Sequence, residues 1–235
     1  MTDTPRILAI CAHDDDEVIG PGGTLRKLAD AGADITTLVF CTGNEGFIRL
    51  EEKDSIVERR RGERAAAQRI LGTRACIAFD YHDFDNLDTE AVYRDIMRTV
   101  RRIRPHLVFT HLSCDYLAHR TLGRLAPEAV WQAGWVCSLD LGEPWAVSRL
   151  YQFSIIEPIA KPSHIVDISD TFRAKLDAMR AYASQHEVVA GILGQIEGRA
   201  KLYGAMIGVE YGEAFLRSAT IPVKVAEPLT LLEGV

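Results

Sequence analysis

The chain has 235 residues, 47% of them hydrophobic and 26% charged, which is ordinary for a globular protein able to bury a core. Its formal net charge of -6 argues against nucleic acid as the main partner, because a phosphate backbone calls for a basic surface. No apolar run approaches the ~20 residues of a membrane helix, and the opening MTDTPRILAICAH is too short and too interrupted to read as a signal peptide. The five cysteines, Cys11, Cys41, Cys76, Cys114 and Cys137, are scattered and form no C-x-x-C pair. They read as free thiols in a reducing cytoplasm, not as a disulfide framework.

In chain order, RILAICA is a short β-rich apolar run, predicted as a buried strand. GPGGTLRKLADAG follows, with Leu25, Leu28 and Ala29 at helical spacing and Gly32 as a stop. DITTLVFCT is the next strand, SIVERRRGERAAAQRILG a helix, ACIAFDY a strand, and TEAVYRDIMRTVRRIRP a helix ended by Pro105. HLVFTH is a strand, HRTLGRLAPEAVWQAGW a helix, VCSLDLGEPWAVS a loop and RLYQFSII a further strand. DTFRAKLDAMRAYASQH and VVAGILGQIEGRAKLYGAMIG are two more helices, and IPVKVAEPLTLLEGV is a tail. Strands separated by helices imply right-handed crossovers and a mostly parallel sheet. The expected class is therefore α/β, a Rossmann-like sheet with helices on both faces, in one domain over residues 1–235. Residues 216–235 are read as a C-terminal tail or oligomerisation segment.

One stretch stands out. AHDDDE lies just past the carboxyl end of the first strand, where open α/β sheets bind ligands. Four carboxylates beside one histidine repel one another unless a cation sits among them. Asp15 and Asp16 are adjacent, so one can hold a metal while the other faces a water. Imidazole with carboxylate suits zinc, and a hydrolytic zinc site keeps an open position beside three protein ligands. A second imidazole is then expected at the same sheet edge. PHLVFTHLSCDYLAHRTLG offers His111 and His119, with His82 the nearest competitor. The glycines Gly20, Gly22 and Gly23 fit no phosphate-loop spacing and read as room for close strand–helix packing.

AHDDDEVIGPGGTLRKLADAG resembles the signature of the LmbE-like, or PIG-L, deacetylase family, A-H-P-D-D-E followed by a G-G-T-L-like stretch. RRGERAAAQRILG is similar to its R-x-x-E helix, DFDNL to its Asp-containing loop, PHLVFTHLSCDYLAHRTLG to the block with the second metal histidine, and YASQ and YGEAF to its C-terminal signposts. The resemblance runs from about Ile7 to Phe215. It implies a three-layer LmbE-like fold, Zn2+ held by His13, Asp16 and His119, and Asp15 as general base. It implies hydrolysis of an N-acyl group, typically acetyl, from an amino sugar or similar conjugate, with Arg60 and Asp85 facing the substrate. Family members often form trimers or hexamers, which implies a homo-oligomer. Glu17 is expected to brace the turn.

Two positions depart from the pattern. Asp14 stands where the family has proline. YLAH stands where it has H-P-D-H, so the first histidine, an aid to the oxyanion, is absent. Tyr116 and His111 are the candidates to replace it, although a strand-end histidine bonded to its neighbours is the plainer reading of His111. Loss of such a donor costs ~3 kcal/mol in the transition state if nothing compensates. Two alternatives stay open: the same metal core on another small amide or glycosidic conjugate, or a non-catalytic ligand-binding member. For Arg60, an ordinary surface ion pair is the competing reading.

Overall fold

The computed structural model describes residues 4–222. Among them, seven strands form one sheet: β1 (Arg6–Cys11), β2 (Asp34–Cys41), β3 (Ala75–Tyr81), β4 (Leu107–His111), β5 (Arg149–Phe153), β6 (His164–Asp167) and β7 (Gly212–Arg217). Their order is β3-β2-β1-β4-β5-β7-β6. The first five are parallel, and β7 runs antiparallel to both β5 and β6. The α-helices are α1 (Asp16–Ile19), α2 (Gly22–Asp30), α3 (Ile56–Leu71), α4 (Glu90–Ile103), α5 (Leu117–Gln132), α6 (Phe172–Ala181), α7 (Gln185–Val188) and α8 (Ile192–Ile207).

β1 shows why there are three layers. Its side chains alternate between faces. Ile7, Ala9 and Cys11 pack with Leu25 of α2, Leu71 of α3, Met179 of α6 and Ile196 of α8. Leu8, Ile10 and Ala12 pack with Val92, Ile96 and Val100 of α4 and with Leu122 and Ala126 of α5. A strand buried on both faces reads as the unbroken apolar run seen in the sequence.

Local chemistry sets the helix limits. In α4, Thr89 Oγ1 accepts from Val92 N (3.3 Å), Glu90 opens the first turn, and Arg101 and Arg102 close the last. Arg104 then turns left-handed at φ 56°, and Pro105 prevents continuation. Arg101 is buried and donates to the carbonyls of Ala133, Trp135, Cys137, Ser138 and Gly142, so one guanidinium orders the loop after α5.

Several expectations change. The single helix expected over 170–186 is two, α6 and α7, separated at Tyr182. β6 and β7 were not anticipated as strands; each is short, and YGEAFLR lacks a clean alternation. Leu216 and Arg217 belong to β7, so a tail starts later than residue 216. Residues 223–235 lie outside the described residues, and with them most of the segment considered for oligomerisation. The packing role of the glycines holds at two positions: a Cβ at Gly20 would strike Phe153, and one at Gly23 would come within 2.8 Å of Ile168. Among the described residues, no helix is long and apolar enough to cross a membrane, and all five cysteines are unpaired.

Candidate active site

The chain leaves β1 toward β2 on one side and returns to β4 on the other. The crevice between the carboxyl ends of β1 and β4 is therefore the switch point where ligands bind in such sheets. His13 to Asp16 follow β1, and His111 to His119 span the end of β4 and the start of α5.

Three side chains meet there. His13 Nδ1 lies 3.1 Å from His119 Nε2, and Asp16 Oδ1 lies 3.3 Å from the same nitrogen. One donor atom from each of His13, Asp16 and His119 falls within 4.8 Å of the others. Asp16 is 1% exposed, and the partners of its carboxylate are imidazoles and the His13 backbone N–H (2.8 Å). Burial alone would raise its pKa, but His119 and His111 outweigh burial and hold it well below the usual range. Burial lowers His13 to about 4 against the pull of Asp16. Burial also opposes protonation of His119, yet Asp16 and Asp115 lift it to about 10. Two imidazoles and one buried carboxylate at this spacing fit a divalent cation of borderline softness.

Asp15 opens α1 with a left-handed backbone, φ 96°. A non-glycine residue there stores about 1–3 kcal/mol of strain, a pattern typical of functional turns. Glu17 holds the turn: its Oε2 accepts from Asp15 N (3.1 Å) and its Oε1 from the Tyr182 hydroxyl (2.7 Å). Glu17 is fully buried, which pushes it up to about 7 although the Tyr182 bond favours its charged form. This is the bracing role expected of it. Burial drives the Asp15 carboxyl well upward, and Arg60 opposes the rise from 3.5 Å.

Arg60 is 3% exposed, so the surface ion pair is not its role. Its Nη2 donates to the Asp14 carbonyl (2.6 Å), and the guanidinium lies beneath the loop after β2. Gly43 is left-handed (φ 71°), and a Cβ there would stand 2.5 Å from Arg60 Nε, so only glycine fits both demands. Asp14, the departure from proline, has its own partner: Arg64 Nη1 reaches its two oxygens at 2.9 and 3.2 Å. Glu63, three residues from Arg60, accepts from Ser184 N (2.9 Å) and Ser184 Oγ (2.5 Å). The R-x-x-E helix and the YASQ stretch are thus joined, and Gln185 reaches the Gly46 carbonyl (3.1 Å).

The cavity above these groups has a volume of about 240 Å3. His13, Asp15, Asp16, Glu45, Arg60, Asp83 and His119 line its polar part; Phe84, Tyr116, Leu117, Ile156 and Val188 contribute apolar surface. Tyr116 is half exposed, with its ring stacked beside His13 (centroids 6.4 Å apart, 16° between planes) and 4.3 Å from the His119 ring. Burial, then Asp16 and Asp15, push its phenol upward and keep it protonated.

Two of the expected residues lie outside the cavity lining. His111 is fully buried and does not line the cavity. Its Nε2 lies 3.0 Å from Ala12 N and 3.1 Å from Asp16 Oδ2, and its ring stacks on His119 (4.4 Å, 3°). It supports the floor from below, outside the cavity lining. Asp85 is exposed outside the lining, accepting from His82 N (2.7 Å) in a local turn. Asp83, two residues earlier, enters the cavity instead. It accepts from Gly43 N (3.0 Å) and Glu45 N (3.1 Å), and its Oδ1 lies 3.8 Å from His13 Nε2.

Asp115 was overlooked. Its Oδ1 accepts from Tyr116 N (2.8 Å) and lies 3.4 Å from His119 Nδ1, while its Oδ2 accepts from Ile155 N (3.0 Å). Burial opposes its ionisation, but the His119 ring and these backbone donors hold it near about 2. A carboxylate behind a ligating imidazole fixes the ring and raises its basicity. The signal was present: an acid four residues before His119 at a helix entry.

The profile described as PIG-L, GlcNAc-PI de-N-acetylase, matches residues 8–130, over half of the chain. The chain belongs to the PIG-L family. A diacetylchitobiose deacetylase of Thermococcus kodakarensis is 32% identical over 230 residues, covering 91% of this chain and 83% of the relative. A 1D-myo-inositol 2-acetamido-2-deoxy-alpha-D-glucopyranoside deacetylase of Segniliparus rotundus is 29% identical, covering 80% of each chain. The solved structure of N,N'-diacetylchitobiose deacetylase from Pyrococcus horikoshii superposes with a TM-score of 0.85 at 29% identity, over 98% of this chain and 89% of that one. The chain is accordingly an enzyme of a family of amide-hydrolysing deacetylases, and the non-catalytic reading is set aside. The PIG-L match covers β1 through most of α5, the stretch that contains both halves of the histidine–aspartate cluster.

Proposed function

We propose that this PIG-L member hydrolyses the N-acetyl group of an amino-sugar conjugate with the help of Zn2+ held by His13, Asp16 and His119. The convergence of those three donors within 4.8 Å carries the reading. Such an ion supplies Lewis acidity, which activates water near neutral pH and polarises an acyl oxygen. Asp15 takes the proton of the attacking water on a carboxylate oxygen and returns it to the departing amide nitrogen as the C–N bond breaks. The products are acetate and the free amine. Burial pushes the Asp15 carboxyl up, which strengthens it as a proton acceptor. Arg60, 3.5 Å from the carboxylate, opposes that rise and favours its charged form.

Tyr116, which lines the cavity, is the donor toward the acyl oxygen in place of the family histidine. Asp83 and Arg60 offer an acceptor and a donor for sugar hydroxyls. The apolar groups Phe84, Ile156 and Val188 favour a sugar bearing a further substituent over the free monosaccharide. The relatives named above act on a disaccharide and on an inositol glycoside of N-acetylglucosamine, and the same class is proposed here.

The test pairs metal analysis with amine release from N,N'-diacetylchitobiose and a panel of N-acetylglucosaminides. About one zinc per chain and turnover of at least one glycoside are expected. Stoichiometric zinc with no amine released from any N-acetyl compound would refute the proposal.

A further inference from the structure

The His13 ring has two polar neighbourhoods, one at each nitrogen. Its Nδ1 faces His119 and Asp16, and its Nε2 lies 3.8 Å from Asp83 Oδ1. Cys41, the last residue of β2, completes a second cluster. One donor atom from each of His13, Cys41 and Asp83 lies within 4.8 Å of the others. This cluster shares one imidazole with the trio of His13, Asp16 and His119 and adds two donors of its own.

Three observations point to a cation there. Cys41 is 2% exposed, and its thiol makes no hydrogen bond among the described residues. Asp83 is fixed with capacity to spare: its two oxygens accept from Gly43 N (3.0 Å) and Glu45 N (3.1 Å), and each keeps a lone pair. Among the described residues, no lysine or arginine forms an ion pair with Asp83. His13 and Asp83 both line the catalytic cavity, so an ion has a path to the cluster from solvent. Thiolate, imidazole and carboxylate together select zinc over magnesium or calcium, and three such donors leave a fourth position for water.

We infer that His13 Nε2, Asp83 Oδ1 and Cys41 Sγ form a second zinc site in the cavity wall. With both sites filled, His13 bridges two ions, and its ring proton and the Cys41 thiol proton pass to solvent. Burial, then the carboxylates of Asp83, Asp16 and Asp85, push that thiol up to about 12. Its proton opposes binding, and the second site fills after the trio. An ion there occupies the acceptor proposed above for a sugar hydroxyl; that consequence rests on the deacetylase reading, whereas the site itself does not.

The experiment is a titration of the zinc-loaded full chain with Cd2+ under a non-thiol reductant, followed by thiolate-to-cadmium charge-transfer absorption. The trio contains no thiol, so cadmium exchanging into it gives no such band. One band-forming cadmium per chain is expected, and Cys41→Ser is expected to lose the band while keeping about one zinc. Asp83→Asn retains an oxygen for a backbone donor and is expected to keep the band but bind cadmium ~10-fold or more weakly, at least what losing a carboxylate behind a ligand costs. No band in the parent chain, a band that survives Cys41→Ser, or unchanged affinity in Asp83→Asn would each overturn the inference. A band dependent on Cys41 in a chain that releases no amine from any N-acetyl compound would support this site and count against the proposed function alone.

Discussion

At the residue scale, Asp15 and Asp16 show how neighbours in sequence acquire opposite roles. Asp16 faces two imidazoles and stays charged, whereas Asp15, turned by its left-handed backbone toward Arg60, is raised by burial. Asp15→Asn is therefore expected to retain zinc while kcat falls by ~100-fold or more, the usual worth of an acid–base group. His119→Ala is expected to lose zinc; equal loss in both variants, read by metal analysis, would break the division of labour. Asp115→Asn makes a finer test. It keeps one oxygen to accept from a backbone N–H but removes the charge behind His119, so zinc affinity is expected to fall ~10–100-fold in a competition titration with a chelator.

At the scale of elements, the catalytic turn is held from outside by α6 and β7. Lys175 and Glu213 form a buried ion pair at 2.6 Å. Lys175 also donates to the Ile19 and Gly20 carbonyls, and Glu213 accepts from Gly23 N and Thr24 N at the head of α2. Glu213→Gln strands the ammonium and is expected to cost about 3–5 kcal/mol in urea unfolding. The pH dependence has a defined sign. Burial depresses the Lys175 pKa in the native state, so just below pH 10.5 the unfolded chain binds more protons and stability rises with pH. Removing the Glu213 charge is expected to widen that window toward neutrality. At the loop after β3, Phe84 is 75% exposed in a left-handed conformation (φ 70°) beside the cavity. Phe84→Ser is expected to raise KM for aryl glycosides more than for methyl glycosides; equal effects would remove its part in binding the substituent.

At the scale of the whole molecule, a ligand bound only by the native state adds stability by mass action, about 2.7 kcal/mol at one hundred times Kd. Stripping metal with a chelator is expected to lower the melting temperature, and zinc at micromolar excess to restore it. No shift would mean that the cluster of His13, Asp16 and His119 is not linked to folding. The parallel half of the sheet was readable from alternating apolar strands and helical spacing. The antiparallel edge was not: β6 and β7 are brief, and Glu213 is buried in a strand because Lys175 and two backbone N–H groups meet it there, a pairing that spans distant parts of the chain.

The sequence by itself determined the α/β class, the place of AHDDDE at the end of the first strand, and the residue types suited to a cation. Those depend on local periodicity and on motifs contained in short segments. The tertiary structure alone shows that His111 lies beneath the floor while His119 lines the cavity, and that Asp83, which the sequence reading did not single out, lines it where Asp85 does not. In each pair both residues lie on the same short stretch, and the difference is which side chain turns into the cavity. That choice depends on contacts with distant segments: His111 is held by Ala12 N and Asp16 beneath the floor, and Asp83 by the backbone donors of Gly43 and Glu45.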